Sequence, residues 1–154
     1  MATEADWQAY RSAVVDLARP GMPALRIVPD TAGSTGAWPD GLGAPVSVVT
    51  AWNPDSVRLA ADVNAARPRL LTRELATRGL TWWPATGRDP VAGHAEEGVA
   101  VLGLAEDDAV ELGRRHGQAA VYLWNPDAWE VVACDRSRRE TLGWRLAPVP
   151  TPDG

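Results

Sequence analysis

T-E-A-D-W-Q-A-Y-R-S-A-V-V-D-L-A, residues 3–18, reads as a single amphipathic helix. Trp7, Tyr10, Val14 and Leu17 recur at helical spacing, and Thr3 is a candidate N-cap. Pro20-Gly21 stops the run. With this stretch taken as helix, the chain carries three helices, and the segments between them decide the rest of the fold.

Leu25 to Val28 is a short apolar run between prolines, which suits a brief strand at a sheet edge. Residues 30–43, D-T-A-G-S-T-G-A-W-P-D-G-L-G, form a Gly-rich loop long enough to close over a ligand. Val46 to Trp52 is the clearest strand: Val46, Val48, Thr50 and Trp52 share one face, and Ser47, Val49 and Ala51 the other. Asn53-Pro54-Asp55-Ser56 breaks it. A helix follows within 58–78, with Val63, Leu70, Leu71 and Leu75 as its buried stripe and Gly79 as its C′ residue. Pro68 lacks an N–H and clashes with the preceding turn, so the main helix is expected to run from Pro68 to Arg78. Leu80–Ala85 and Glu97–Leu104 read as strands. Glu106–His116 reads as a short helix ended by Gly117, and Gln118–Trp124, Trp129–Cys134 and Leu142–Leu146 as further strands.

The resulting order is α-β-β-α-β-β-α-β-β-β. Closely spaced strands favour antiparallel neighbours, and helices between pairs favour one face. The expectation is one α+β domain over residues 1–146. It has a mixed or mostly antiparallel sheet with about three helices packed on it, and a disordered tail at 147–154. W-N-P-D occurs at 52–55 and again at 124–127, each time at a strand end. The flanking residues differ, so two similar turns explain it better than a duplication.

Composition excludes several function classes. The net charge is −5, with fifteen arginines and no lysine. Without lysine there is no Schiff-base chemistry, no lysine general base and no Walker-type phosphate loop. An acidic domain lacks the electrostatic footprint of nucleic-acid binding. Cys134 is the single cysteine, so no disulfide framework or cysteine-rich zinc site forms within one chain. The start M-A-T-E-A-D-W has no apolar core of a signal peptide, and no apolar run spans a bilayer. A cytoplasmic domain with no membrane or nucleic-acid partner and no cofactor is expected. Eight tryptophans and no phenylalanine imply that indole rings supply the aromatic core.

T-A-W-N-P (50–54) with Asn64 downstream, E-E-G-V-A-V-L-G-L (96–104) and L-G-R-R-H-G-Q-A-A-V (112–121) together resemble a bacterial family catalogued as domain of unknown function 3293. The likeness covers roughly residues 24–124. It implies a compact bacterial cytoplasmic domain and no particular activity.

Candidate chemistry lies near those motifs. Glu96 and Glu97 open a strand and point to opposite faces, so one alone can enter a pocket. Glu97 shares the face of Val99 and Val101, which makes it the better acid or base; the structural alternative is a solvated pair or an ion pair with Arg114 or Arg115. Thr50, Asn53, Asn64, Gln118 and Arg115 are candidate ligand contacts, with Trp52 or Trp82 as an apolar wall. Asn53 and Asn64 serve equally well as turn and helix caps. His94-x-Glu96 supplies two groups on one face but no third, so no metal is expected. His116 suits a boundary position at a helix C-terminus. Arg136, Arg138 and Arg139 read as a solvated turn. There is no G-x-S-x-G elbow, and Cys134 has no neighbouring base. Two function classes fit these residues. One is a binder of a small polar ligand, an enzyme if a glutamate does acid–base work. The other is a non-catalytic module that pairs with a protein or with itself as a homodimer.

Overall fold

The structure, a computed structural model, describes residues 2–50, 61–91 and 93–150, with the side chains of 61–65 outside it. The elements are α1 (Glu4–Ser12), β1 (Val14–Leu17), β2 (Leu25–Asp30), β3 (Val46–Thr50), α2 (Ala61–Thr77), β4 (Trp82–Arg88), β5 (Ala95–Leu102), α3 (Glu106–Arg115), β6 (Ala120–Asn125), β7 (Ala128–Ala133) and β8 (Arg139–Pro148). The eight strands close into a barrel in the order β1-β2-β8-β7-β6-β3-β5-β4. Every pairing between them is antiparallel, and β4 returns to β1.

This overturns the expected α+β sheet with helices packed on it. The difference traces to residues 14–17. α1 starts as expected, with the Thr3 hydroxyl accepting from the Asp6 N–H and the Asp6 carboxylate accepting from the Thr3 N–H. It ends at Ser12, and Val14-Val15-Asp16-Leu17 is a strand. Val15 and Leu17 point inward and are fully buried. β1 pairs with β2 on one side and β4 on the other, so it is the stave that closes the cylinder. β2, expected at an edge, is therefore interior to the sheet.

Two layers of core follow from strand alternation. Inward residues fill the barrel: Val15, Leu17, Ile27, Val46, Val48 and Ala100 pack around Trp124, Trp129 and Trp144. Outward residues of β3, β5, β6 and β7 carry α2 and α3, through Val49, Val99, Val101, Val121 and Val132 against Leu71, Leu75, Ala109 and Leu112. α3 sits close to the sheet because residue 113 is glycine. A Cβ there would lie 2.5 Å from Val121 Cγ1.

α2 runs through Pro68 as one helix from Ala61, where a start at the proline was expected. Leu71 and Leu75 are buried, but Leu70, assigned to the same stripe, is exposed. Gly79, at φ 69°, ends the helix as expected, with Leu80 N–H reaching back to Leu75 O. β8 extends to Pro148, pairing with Leu25, and so takes in the first two residues of the expected tail.

Both ends of the barrel are covered. α1 lies across one, where Trp7 packs with the inward residues Val131 and Ala133. Arg138 stacks 4.6 Å over the Trp7 ring and binds Glu4 and Glu140, and Arg11 binds Glu140 as well. Arg136 pairs with Asp107, and Arg139 with Glu106 and Glu130. The arginine run expected as a solvated turn is thus an ion-paired brace. At the opposite end the Gly-rich loop folds over the barrel and inserts Trp38 and Leu42. No helix among the described residues is long and apolar enough to cross a membrane.

Candidate functional site

β3 ends, and β5 and β6 begin, at the end of the barrel covered by α1. Thr50 pairs with Gly98, and the Thr50 hydroxyl donates to Glu97 O at 2.8 Å. Gly98 is required for this approach, since a Cβ there would lie 2.5 Å from Val49 O and 3.0 Å from Thr50 Cα. Thr50, Glu96 and Glu97 therefore stand together on two adjacent strands.

Alternation separates the two glutamates as expected, but the inner one is Glu96. Glu97 shares the face of Val99 and Val101, and that face is the outer one, under the helices. Glu97 itself is exposed. Glu96 falls on the inward face with Gly98, Ala100 and Leu102, is half-buried, and sits close enough to Tyr122 for its charge to act on the phenol. Burial pushes the Tyr122 phenol well above its ordinary value, and Tyr10 and Glu96 push the same way. Tyr122 is therefore a neutral hydroxyl at all working pH values. It donates to Tyr10 O on α1 at 3.2 Å and stacks on Trp129.

Tyr122 and Tyr10, which meet at this barrel end, are not among the candidates drawn from the sequence. The signal was present: a phenol in the alternating run A-V-Y-L-W places one polar atom on the face of Trp124.

The remaining candidates lie elsewhere. Trp52 and Asn53 are outside the described residues, and so is the side chain of Asn64, which falls within α2. Trp82 packs on the outer face with the helices, whereas its neighbour Trp83 faces the barrel interior. Arg115 is held by Glu74 of α2, which also lies 3.2 Å from His116 Nε2. Burial opposes ionisation of Glu74, yet Arg115 and His116 outweigh it and hold the carboxyl below its usual range. This group ties α2 to α3. His116 caps α3, as its place in the sequence suggested, and Arg67 Nη2 donates to its carbonyl at 3.0 Å.

Gln118 is buried and lines a separate cleft of about 210 Å³ with Trp7, Arg114, Cys134, Asp135 and Ser137. Burial first, and Asp135 next, push the Cys134 thiol up to about 12. It is a packing residue, with no thiolate character near neutrality. His94 is exposed, and among the described residues no group of three or more His, Cys, Asp or Glu side chains could hold a metal ion.

Neither a curated protein nor a solved structure matches the chain. A family does match, over residues 49–121, from the end of β3 through α2, β4, β5 and α3 into β6. That span contains Thr50, Glu96, Glu97 and the close approach at Gly98, and it leaves out β1, β2 and the C-terminal staves β7 and β8. Over those residues the chain is similar to the family described as protein of unknown function (DUF3293).

Proposed function

We propose that the protein binds a small polar molecule at the barrel end where β3 leaves and β5 enters. The observation that carries this reading is Glu96. It is a half-buried carboxylate on the inward face of a strand, near the Tyr122 phenol, at one end of a barrel whose hydrophobic core is aliphatic and indole. A carboxylate accepts from an amine, amide or hydroxyl, and the phenol oxygen, whose proton goes to Tyr10 O, can accept from a second such group. The pair would thus orient a molecule that carries donors. If the bound molecule is turned over, Glu96 is the acid or base and Tyr122 its hydrogen-bonding partner.

The alternative, a non-catalytic module pairing through exposed tryptophans and edge strands, has less support. A closed barrel offers no free strand edge. No described tryptophan is exposed, and the large exposed apolar side chains Met22, Leu70 and Val91 lie on separate segments.

Native mass spectrometry of the purified full chain tests the proposal. The expected result is an added small mass on the wild-type protein, lost in Glu96→Gln and retained in Glu97→Gln. An added mass kept equally by both variants, or no added mass after incubation with a panel of small amines, amides and hydroxy acids, would overturn it.

A further inference from the structure

Five described tryptophans belong to the barrel interior; besides Trp83, four lie towards its Gly-rich-loop end, and three of these carry a donor without an acceptor among the described residues. Trp124, Trp129 and Trp144 are fully buried. Each of their Nε1–H groups lacks a hydrogen-bond partner among the described residues. A buried donor left unpaired is costly, and protein interiors rarely gather three in one core.

The fourth ring belongs to the loop. Trp38 lies 4.5 Å from Trp124 and 5.9 Å from Trp144, centroid to centroid, while those two rings meet edge to face at 5.3 Å. Trp38 thus occupies a slot shaped by two other indoles. Its own Nε1–H goes to Leu42 O, and the Leu42 N–H goes to Pro39 O, so the hydrogen bonds of this hairpin close within the loop. Withdrawing it breaks stacking contacts and none of these bonds. The loop is tied to β8 at Ser34 and Thr35, with the Trp144 N–H donating to Ser34 O at 2.9 Å, so the segment that withdraws runs from Gly36 to Gly41, and Gly41 sits at positive φ with nothing within 4 Å of where a Cβ would stand. Residues 31–37 are exposed throughout.

We propose that the barrel interior is a second binding site, for a flat, neutral, largely apolar molecule that carries a hydrogen-bond acceptor. Trp38 fills its entrance until such a molecule displaces it. The walls at this end are aliphatic, from Val15, Leu17, Ile27, Val46 and Val48, and the inward carboxylates Glu96 and Glu140 stand towards the opposite end, which favours a neutral molecule here. The indole-shaped slot sets the flatness, and the three N–H groups set the need for a carbonyl, ether or ring-nitrogen acceptor. Eight-stranded barrels are wide enough to hold one small ligand. The entrance is at the end where β3 begins, opposite to Glu96.

Two probes of closely similar shape separate the donors from simple apolar burial: 2-acetylnaphthalene, which has a carbonyl, and 2-isopropenylnaphthalene, which has C=CH2 in its place. The full chain is labelled with ¹⁵N at its indole nitrogens, and the cross-peaks are assigned from single Trp→Phe variants. The ketone should bind about tenfold more tightly than the hydrocarbon. It should also move the Nε1–H signals of Trp124 and Trp144 downfield, an effect the hydrocarbon lacks. Trp38→Ala should tighten ketone binding, and Glu96→Gln should leave it unchanged, so this site and the polar one stand or fall separately. If Trp38→Ala does not fold, the wild-type spectra decide alone. Equal binding of the two probes, unmoved indole signals at saturation, or no binding of the ketone up to its solubility would overturn the proposal.

Discussion

Asp16→Asn is the substitution that tests how the barrel closes. Asp16 sits in the middle of β1 with its side chain on the outer face, where it is nearly buried. It accepts from Arg26 Nε at 2.8 Å and Nη2 at 3.0 Å, and from Arg88 Nε at 2.9 Å. Arg26 belongs to β2 and Arg88 to β4, so one carboxylate staples both seams of the closing strand. A buried charge-assisted hydrogen bond contributes roughly 1.5–3 kcal/mol. The Arg26 fork is mostly shielded, but Arg88 is 46% exposed and its bond falls towards the weaker range of surface pairs. Asparagine keeps one acceptor oxygen, so the expected loss at neutral pH is about 2–3 kcal/mol, or roughly 4–12 °C in Tm for a chain of this size.

The pH dependence has a definite sign. Burial opposes ionisation of Asp16, but the bonds from Arg26 and Arg88 outweigh it, so the folded pKa lies below the ordinary aspartate value. Such a group contributes in full above its unfolded pKa of about 3.9, and the contribution fades as pH falls through the folded pKa. Urea unfolding of the wild type and Asp16→Asn, followed by tryptophan fluorescence, should show a constant gap from about pH 8 to pH 5 that narrows below about pH 4. Amide exchange at Val15 and Leu17 should accelerate in the variant. A gap under about 0.5 kcal/mol, or one that persists unchanged to about pH 3, would refute the staple.

Two further outcomes follow from local geometry. Gly98→Ala places a Cβ 2.5 Å from Val49 O, on the backbone of a paired strand, whereas Gly87→Ala meets nothing nearer than Glu96 O at 3.9 Å. The first should cost about 1–3 kcal/mol or more in urea unfolding and the second under about 0.5; equal costs would show that close approach is not the reason for glycine at 98. Cys134, with its thiol pushed up to about 12 by burial, should not react with a disulfide reagent at pH 8 until the protein is unfolded, and stoichiometric labelling of the native chain would contradict its placement.

Much of the fold was legible because turns and alternation are local. Gly79 and Gly117 ended their helices, Asn125 made its turn by accepting from the N–H groups of Asp127 and Ala128, and the two faces of β3 were assigned correctly. The closing strand was not legible. Val14 and Leu17 continue the spacing of Trp7 and Tyr10, so a helical stripe and an alternating Val15-Asp16-Leu17 fit the same letters. What decides between them is long-range: the places left open beside β2 and β4, and the two arginines that meet Asp16 there. Losing one short strand changed the architecture, because a sheet of seven strands has two edges and the barrel has none.

The same ambiguity explains why Glu96, and not Glu97, lies on the inner face. Alternation sorts a strand into two faces without saying which is inside. In a half-solvated sheet hydrophobicity settles the matter, since one face is polar. β5 has no polar face beyond its first residues: Ala100 and Leu102 fill the barrel, and Val99 and Val101 carry the helices. Next to the glutamates the larger side chains lie outside, because the barrel interior is occupied by indoles and the inner face of β5 carries Gly98 and Ala100 there, with Leu102 at its far end. Choosing the bulkier face as the pocket side therefore selects Glu97, whereas volume within a closed cylinder selects Glu96. Inner faces that alternate small residues with glycine, opposite strands rich in tryptophan, are the pattern that marks a filled barrel here. On β5 that pattern runs Glu96, Gly98, Ala100, and its polar member stands at the end covered by α1.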